Sequence, residues 1–187
     1  AVSPDAGPGD LVHVYDKEGQ PFGTGFYNPK ARVPLRVLDH HAENFDEASL
    51  DARVEAALDL RLDTLRLNEI SDAWRVIHSD GDGLSGLVVD RYDDVLSIEV
   101  TTLGIWKRLP RWLPRLHERL GTKQQVIHLD PDIARIEGMR YADVPEAEGE
   151  PPRSVRVREH GVRYLVNFED GHKTGFFCDQ RENRVRF

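Results

Sequence analysis

The spacing of apolar and polar positions changes several times along the chain, and each change marks an element. Leu11 to Tyr15 alternate as a strand, and Asp16-Lys17-Glu18-Gly19 reads as a hairpin turn. Pro21–Tyr27 and Arg32–Leu38 read as two further strands, parted by Asn28-Pro29-Lys30. From Ser49 the period becomes that of a helix, with Leu50, Val54, Ala57, Leu58, Leu62 and Leu65 on one stripe and Ser49 as N-cap. Trp74–His78, Gly86–Asp90, Val95–Val100 and Gln124–Leu129 return to strand patterns. Between the last two, Ile105, Leu109, Trp112, Leu113, Leu116 and Leu120 make a second helical stripe ending at Gly121. Pro110 and Pro114 lie inside it, and an interior proline costs about 3 kcal/mol. They predict a kinked or two-piece helix. Val155, Val157 and the run 162–168 predict a hairpin across Glu159-His160-Gly161. The sum is an α+β fold.

Four groups of residues raise chemistry. Asp80-Gly81-Asp82-Gly83-Leu84-Ser85-Gly86 has carboxylates and glycines, but it lacks the late glutamate of a calcium loop and the Gly-Lys-Ser/Thr of a phosphate cradle. A glycine-dependent turn between paired strands is the simpler reading. His40-His41, in the polar linker 39–48, have no further ligands at zinc-site spacing and read as solvated imidazoles. Arg108, Arg111, Arg115 and Arg119 share a side of the second helix away from its apolar stripe. That side is either a phosphate-contacting face or a solvated basic one. Cys178 has no neighbouring base to activate it, so it reads as packing.

Composition narrows the class. No apolar run approaches the roughly 20 residues that span a bilayer, and a single cysteine excludes an internal disulfide framework and fits a reducing cytoplasm. Net charge −8 speaks against nucleic-acid binding at face value. Its distribution softens this: residues 101–125 carry a local +5 and residues 153–187 a local +3, so the rest holds −16. An acidic body with two basic segments can still bind RNA on one face. Residues 142–152 are acidic and proline-rich and read as a linker.

The last stretch, His172-Lys173-Thr174-Gly175-Phe176-Phe177 followed by Asp179-Gln180-Arg181, reads as the entry to a helix with Asp179 as N-cap. It closely resembles the motif before the catalytic domain in the RlmI-like family of RNA methyltransferases. Gly9-Asp10-Leu11-Val12, Gly25-Phe26-Tyr27-Asn28-Pro29, the block from Asp80 to Tyr92, and Arg135-Ile136-Glu137-Gly138-Met139 extend the resemblance over nearly the whole chain. It implies a partial PUA-like β-barrel at 1–40, an EEHEAD-like α+β domain at 41–152, and at 153–187 a hairpin leading to a Rossmann-type methyltransferase domain absent from these 187 residues. It further implies an enzyme that uses S-adenosylmethionine to methylate carbon 5 of a cytosine in 23S ribosomal RNA, with guanine N7 or a stand-alone RNA-binding module as alternatives. By the same resemblance, Lys173, Thr174, Phe176, Asp179, Gln180 and Arg181 line one wall of the cofactor pocket; the other reading is an interdomain clasp with Phe176 and Phe177 buried in the next domain. No catalytic residue and no metal falls in the chain, so the fragment alone is expected to be inactive. Expected partners are ribosomal RNA, the chain's own methyltransferase domain and, as a further option, a second copy in a homodimer, in the cytoplasm and without a membrane.

Overall fold

The computed structural model describes residues 4–40, 44–144, 152–168 and 176–186. Strands β1 (Asp10–Tyr15), β2 (Pro21–Tyr27) and β3 (Leu35–His40) form an antiparallel meander in chain order. Among the described residues this sheet stays open and does not close into a barrel. The third strand starts later than Arg32 because the turn is closed farther along, by Asn28 donating its N–H to the Pro34 carbonyl at 2.8 Å.

Helix α1 (Glu47–Asp59) begins ahead of Ser49, and the N-cap is Asp46. The Asp46 carboxylate accepts the Ser49 N–H at 2.9 Å, and the Ser49 hydroxyl accepts the Asp46 N–H at 3.2 Å, so the two orphan donors are satisfied reciprocally. A π-helical turn, Leu60–Thr64, prolongs the helix before the short α2 (Leu67–Ile70).

The centre is a four-stranded sheet of β4 (Ala73–His78), β5 (Leu87–Tyr92), β6 (Val95–Val100) and β7 (Gln124–His128), in that order. The first three are antiparallel, and β7 runs parallel to β6. A parallel neighbour needs a long crossover, which α3 (Leu103–Leu120) supplies. Contrary to the two-piece expectation, α3 is a single helix containing both prolines, stopped by left-handed Gly121. Each proline removes one N–H from the ladder. The loss is offset by a stripe in which Ile105, Leu109 and Leu116 are wholly buried, and by ion pairs along the flank that faces α1. The β4–β5 connection is the glycine-dependent turn foreseen, with Gly83 and Gly86 at positive φ. Asp82 there is spent on a two-pronged pair with Arg61 (2.6 and 2.9 Å). His40 ends β3 with its ring edge-on to Phe22; His41 lies outside the described residues.

After α4 (Pro131–Glu137), capped by Asp130, the chain forms the expected hairpin of β8 (Ser154–Glu159) and β9 (Val162–Asn167). His160 and Gly161 both adopt positive φ, the geometry of a two-residue turn that matches strand twist. The sheet is buried on both faces. Leu96 and Ile98 face α1 and α3 in the main core, while Val95 and Tyr92 face Val157, Val166 and Phe168 of the hairpin in a second core. The segments expected at 1–40 and 41–152 share the main core through Phe26, helped by Arg36 donating to the Ser85 hydroxyl at 3.0 Å.

Candidate functional site

The C-terminal segment sits against the second core. Cys178 begins a 3-10 turn that leads into α5 (Arg181–Val185). Asp179 does not cap this helix; Gln180 occupies the cap position, without a side-chain bond to the backbone, and Asp179 Oδ2 instead accepts from Gln180 Nε2 at 3.1 Å. The turn preceding the helix puts Asp179 one residue too early to reach its first amides. Arg184 is the fastener. It grips the buried carboxylate of Glu159 at 2.7 and 2.9 Å, donates to the Phe177 carbonyl at 2.8 Å, and stacks its guanidinium 4.3 Å from the Phe176 ring centre.

These contacts sort the residues proposed for the cofactor wall. Phe176 is half-buried between Arg184 and Tyr164 and packs on the second core. Asp179 and Gln180 are exposed, and Arg181 leans on Glu182 at 3.2 Å. Lys173 and Thr174 lie outside the described residues. Phe177, which the sequence grouped with Phe176 as a clasp, is 52% exposed.

Cys178 is buried beneath this segment, its Sγ 3.8 Å from the Tyr92 hydroxyl, which itself donates to the Phe176 carbonyl at 3.2 Å. Burial, aided by the negative charge of Asp90, pushes the thiol up to about 12. A nucleophile needs the opposite shift. At pH 8 the native thiol is expected to react with Ellman's reagent about 10³-fold more slowly than in denaturant, following its thiolate fraction. Equal rates in the two states would contradict the burial.

The arginine row has a different setting from either reading of the sequence. Helix α1 and the turn after it carry Glu47, Asp51, Glu55, Asp59 and Asp63, one carboxylate every fourth residue, facing α3. Arg108 Nε donates to Glu47 at 2.9 Å, and Arg111 Nη2 donates to Asp51 at 2.7 Å, an oxygen shared with the Trp112 indole N–H. Arg115 pairs with Glu55, and Arg119 with Glu55 and Asp59, each at 2.8 Å. All four arginines are therefore engaged within the chain. The signal was legible as the strict four-residue spacing of the acids, which places them on one helix face. Neither row shows the pairing by itself, because the two lie about 60 positions apart.

Two blocks of the resemblance also meet. Glu137 Oε2 accepts from Asn28 Nδ2 at 2.8 Å and from the Leu103 N–H at 3.0 Å, so it supplies the capping bond that Thr102 does not give α3.

Residues 1–40 match the family described as PUA-like domain. Over 95% of its length the chain is 33% identical to ribosomal RNA large subunit methyltransferase I of Alteromonas mediterranea, and over 96% it is 36% identical to a ribosomal RNA large subunit methyltransferase of Deinococcus radiodurans. The chain is homologous to ribosomal RNA large subunit methyltransferases. It spans less than half of these relatives, 44% and 45% of their lengths. A solved structure described as a SAM-dependent methyltransferase from Streptococcus mutans superposes with a TM-score of 0.67 at 17% identity, over 95% of this chain and 45% of that one. A second, described as a methyltransferase complexed with SAH, gives 0.68 at 17% identity over 97% and 46%. At that identity these two speak for the fold. The described residues include no group of three or more potential metal ligands and no helix long and apolar enough to cross a membrane.

Proposed function

We propose that this chain is the N-terminal RNA-binding and docking portion of an S-adenosylmethionine-dependent methyltransferase that modifies cytosine C5 of 23S ribosomal RNA in the cytoplasm. The observation that carries the reading is the homology along nearly the full chain to large-subunit rRNA methyltransferases about twice its length. The chain's own contribution is binding and orientation. Its one thiol is buried, with its pKa raised, and so is unsuited to attack a base.

Exposed Phe177, Asp179 and Gln180, beside Arg181, offer a ring face and polar groups. Those are what one wall of a nucleoside pocket needs, with the methyl donor's remaining contacts supplied by a Rossmann-type domain. The donor, when bound, supplies an electrophilic methyl group; the residues here would hold and screen it. Arg184, by fixing Phe176 and Phe177 on the sheet, positions that wall.

Two measurements test this. Calorimetry on the 187-residue chain is expected to show no S-adenosylmethionine binding tighter than the micromolar range. Nanomolar affinity would mean a complete pocket and overturn the one-wall reading. Methylation of 23S ribosomal RNA by the complete protein, with the modified base mapped, is expected to give 5-methylcytosine. Modification at guanine N7 would replace the cytosine assignment.

A further inference from the structure

With the α3 arginines bound to α1, the positive charge that remains for a partner lies elsewhere. On the β8–β9 hairpin, alternate residues point to opposite sides. Val157, Glu159 and Val166 turn inward, whereas Arg156, Arg158, Arg163 and Leu165 turn out and are exposed. Arg158 stands directly opposite Arg163, and Arg156 directly opposite Leu165. Like charges directly across a strand pair are destabilising, and the protein's net charge of −8 leaves ample acid for pairing. Yet Arg156 and Arg163 make no ion pair among the described residues, and Arg158 has only Asp72 at 3.8 Å while remaining 67% exposed. Leu165, at 67% exposure, sits among them as an apolar contact point. The hairpin is anchored, too. Asp72 donates its N–H to the Arg158 carbonyl at 2.8 Å and accepts the Arg158 N–H at 3.1 Å, and Ser71 bridges to Glu159.

We infer that the outer face of this hairpin is a phosphate-binding surface for RNA, with Arg156, Arg158 and Arg163 contacting consecutive phosphates of one backbone. A stiff ribbon carrying guanidiniums on one side presents forked donors at fixed spacing, the geometry that suits phosphate oxygens. Binding removes the arginine–arginine repulsion, so the anion stabilises the face it docks on. The inference rests on the RNA-binding reading above and assigns the contact to β8 and β9 instead of α3.

The test uses the whole chain and a fluorescein-labelled transcript of a structured ribosomal RNA helix, followed by anisotropy against salt. Each phosphate contact contributes a log–log slope of about −0.9 on a duplex. The variant Arg156→Gln/Arg163→Gln is expected to bind at least about tenfold more weakly at 0.1 M salt and to lose about two from the magnitude of the slope. Its thermal midpoint should hold or rise, since a like-charge contact is relieved. The control Arg111→Gln/Arg115→Gln is expected to keep the wild-type slope. An unchanged slope in the hairpin variant, with wild-type RNA binding intact, overturns this assignment alone. Absence of RNA binding by the wild type overturns both it and the RNA-binding reading. Binding of polyglutamate as tight as that of RNA would assign the face to an acidic protein instead.

Discussion

Replacing Arg108 by alanine is expected to lower the thermal midpoint more than the same change at Arg111, Arg115 or Arg119. Its side chain is only 10% exposed and ties together three separate stretches. It binds Glu47 of α1, donates to the Gly9 carbonyl at 2.9 Å and the Gly104 carbonyl at 2.7 Å, and lies 4.7 Å from the centre of the Phe26 ring. Removing one member of a buried pair costs about 3–5 kcal/mol. Glu47 is 46% exposed and returns to water, so the cost falls at or below the bottom of that range, roughly 2–3 kcal/mol. At about 2–4 °C per kcal/mol for a chain of this size, the midpoint falls by roughly 5–10 °C. Arg115→Ala, on an exposed pair, should leave it unmoved. There is a pH signature as well. Arg108 holds the Glu47 carboxyl below its ordinary 4.5. A depressed carboxyl contributes stability that is present above its unfolded value and lost as pH falls through its folded one. Calorimetric melts between pH 7 and 3 should therefore show the variant's deficit shrinking once pH drops below 4.5. A deficit that stays constant to pH 3 would remove Glu47 from the account.

Gly104→Val is expected to have a comparable effect by a different route. The backbone of α3 passes so close to β2 that a Cβ at Gly104 would lie 2.2 Å from Phe26 Cγ and within 2.6 Å of both Cδ atoms. Phe26 is 4% exposed and capped by Arg108, so it has no free volume to retreat into. Overpacking of this kind costs about 3 kcal/mol at the upper end of the usual range. The expected result is a midpoint roughly 6–12 °C lower. Gly104→Ala should fall less, since alanine recovers up to about 1 kcal/mol of helix propensity. Combining Phe26→Leu with Gly104→Ala should restore part of the loss, a non-additivity that marks direct contact. Strict additivity would show that the two residues do not meet.

Much of the fold was legible because its elements have clean periods. The strand alternation of β1, β2, β8 and β9 and the stripes of α1 and α3 all matched the structure to within a few residues. The errors share a cause. Proline's local cost predicted a kinked or two-piece α3; the helix is in one piece, held by burial of Ile105, Leu109 and Leu116 together with the acid row of α1. Ser49 looked like a cap and is the third helical residue, closing a capping box begun by Asp46. The ion pairs of the α3 arginines were not legible because their partners stand about 60 positions earlier, beyond what any one-helix pattern reports. Motif identity was easier to read than motif role. Asn28 and Glu137, from two blocks that carry the family resemblance, bind each other and brace α3.

The central sheet has no idle side: the N-terminal meander reaches it through the main core, and the hairpin with its C-terminal segment backs onto the other face. The meander and the hairpin with its C-terminal segment are thus joined through a solid slab instead of a tether, so their spacing is set by packing and not by linker length.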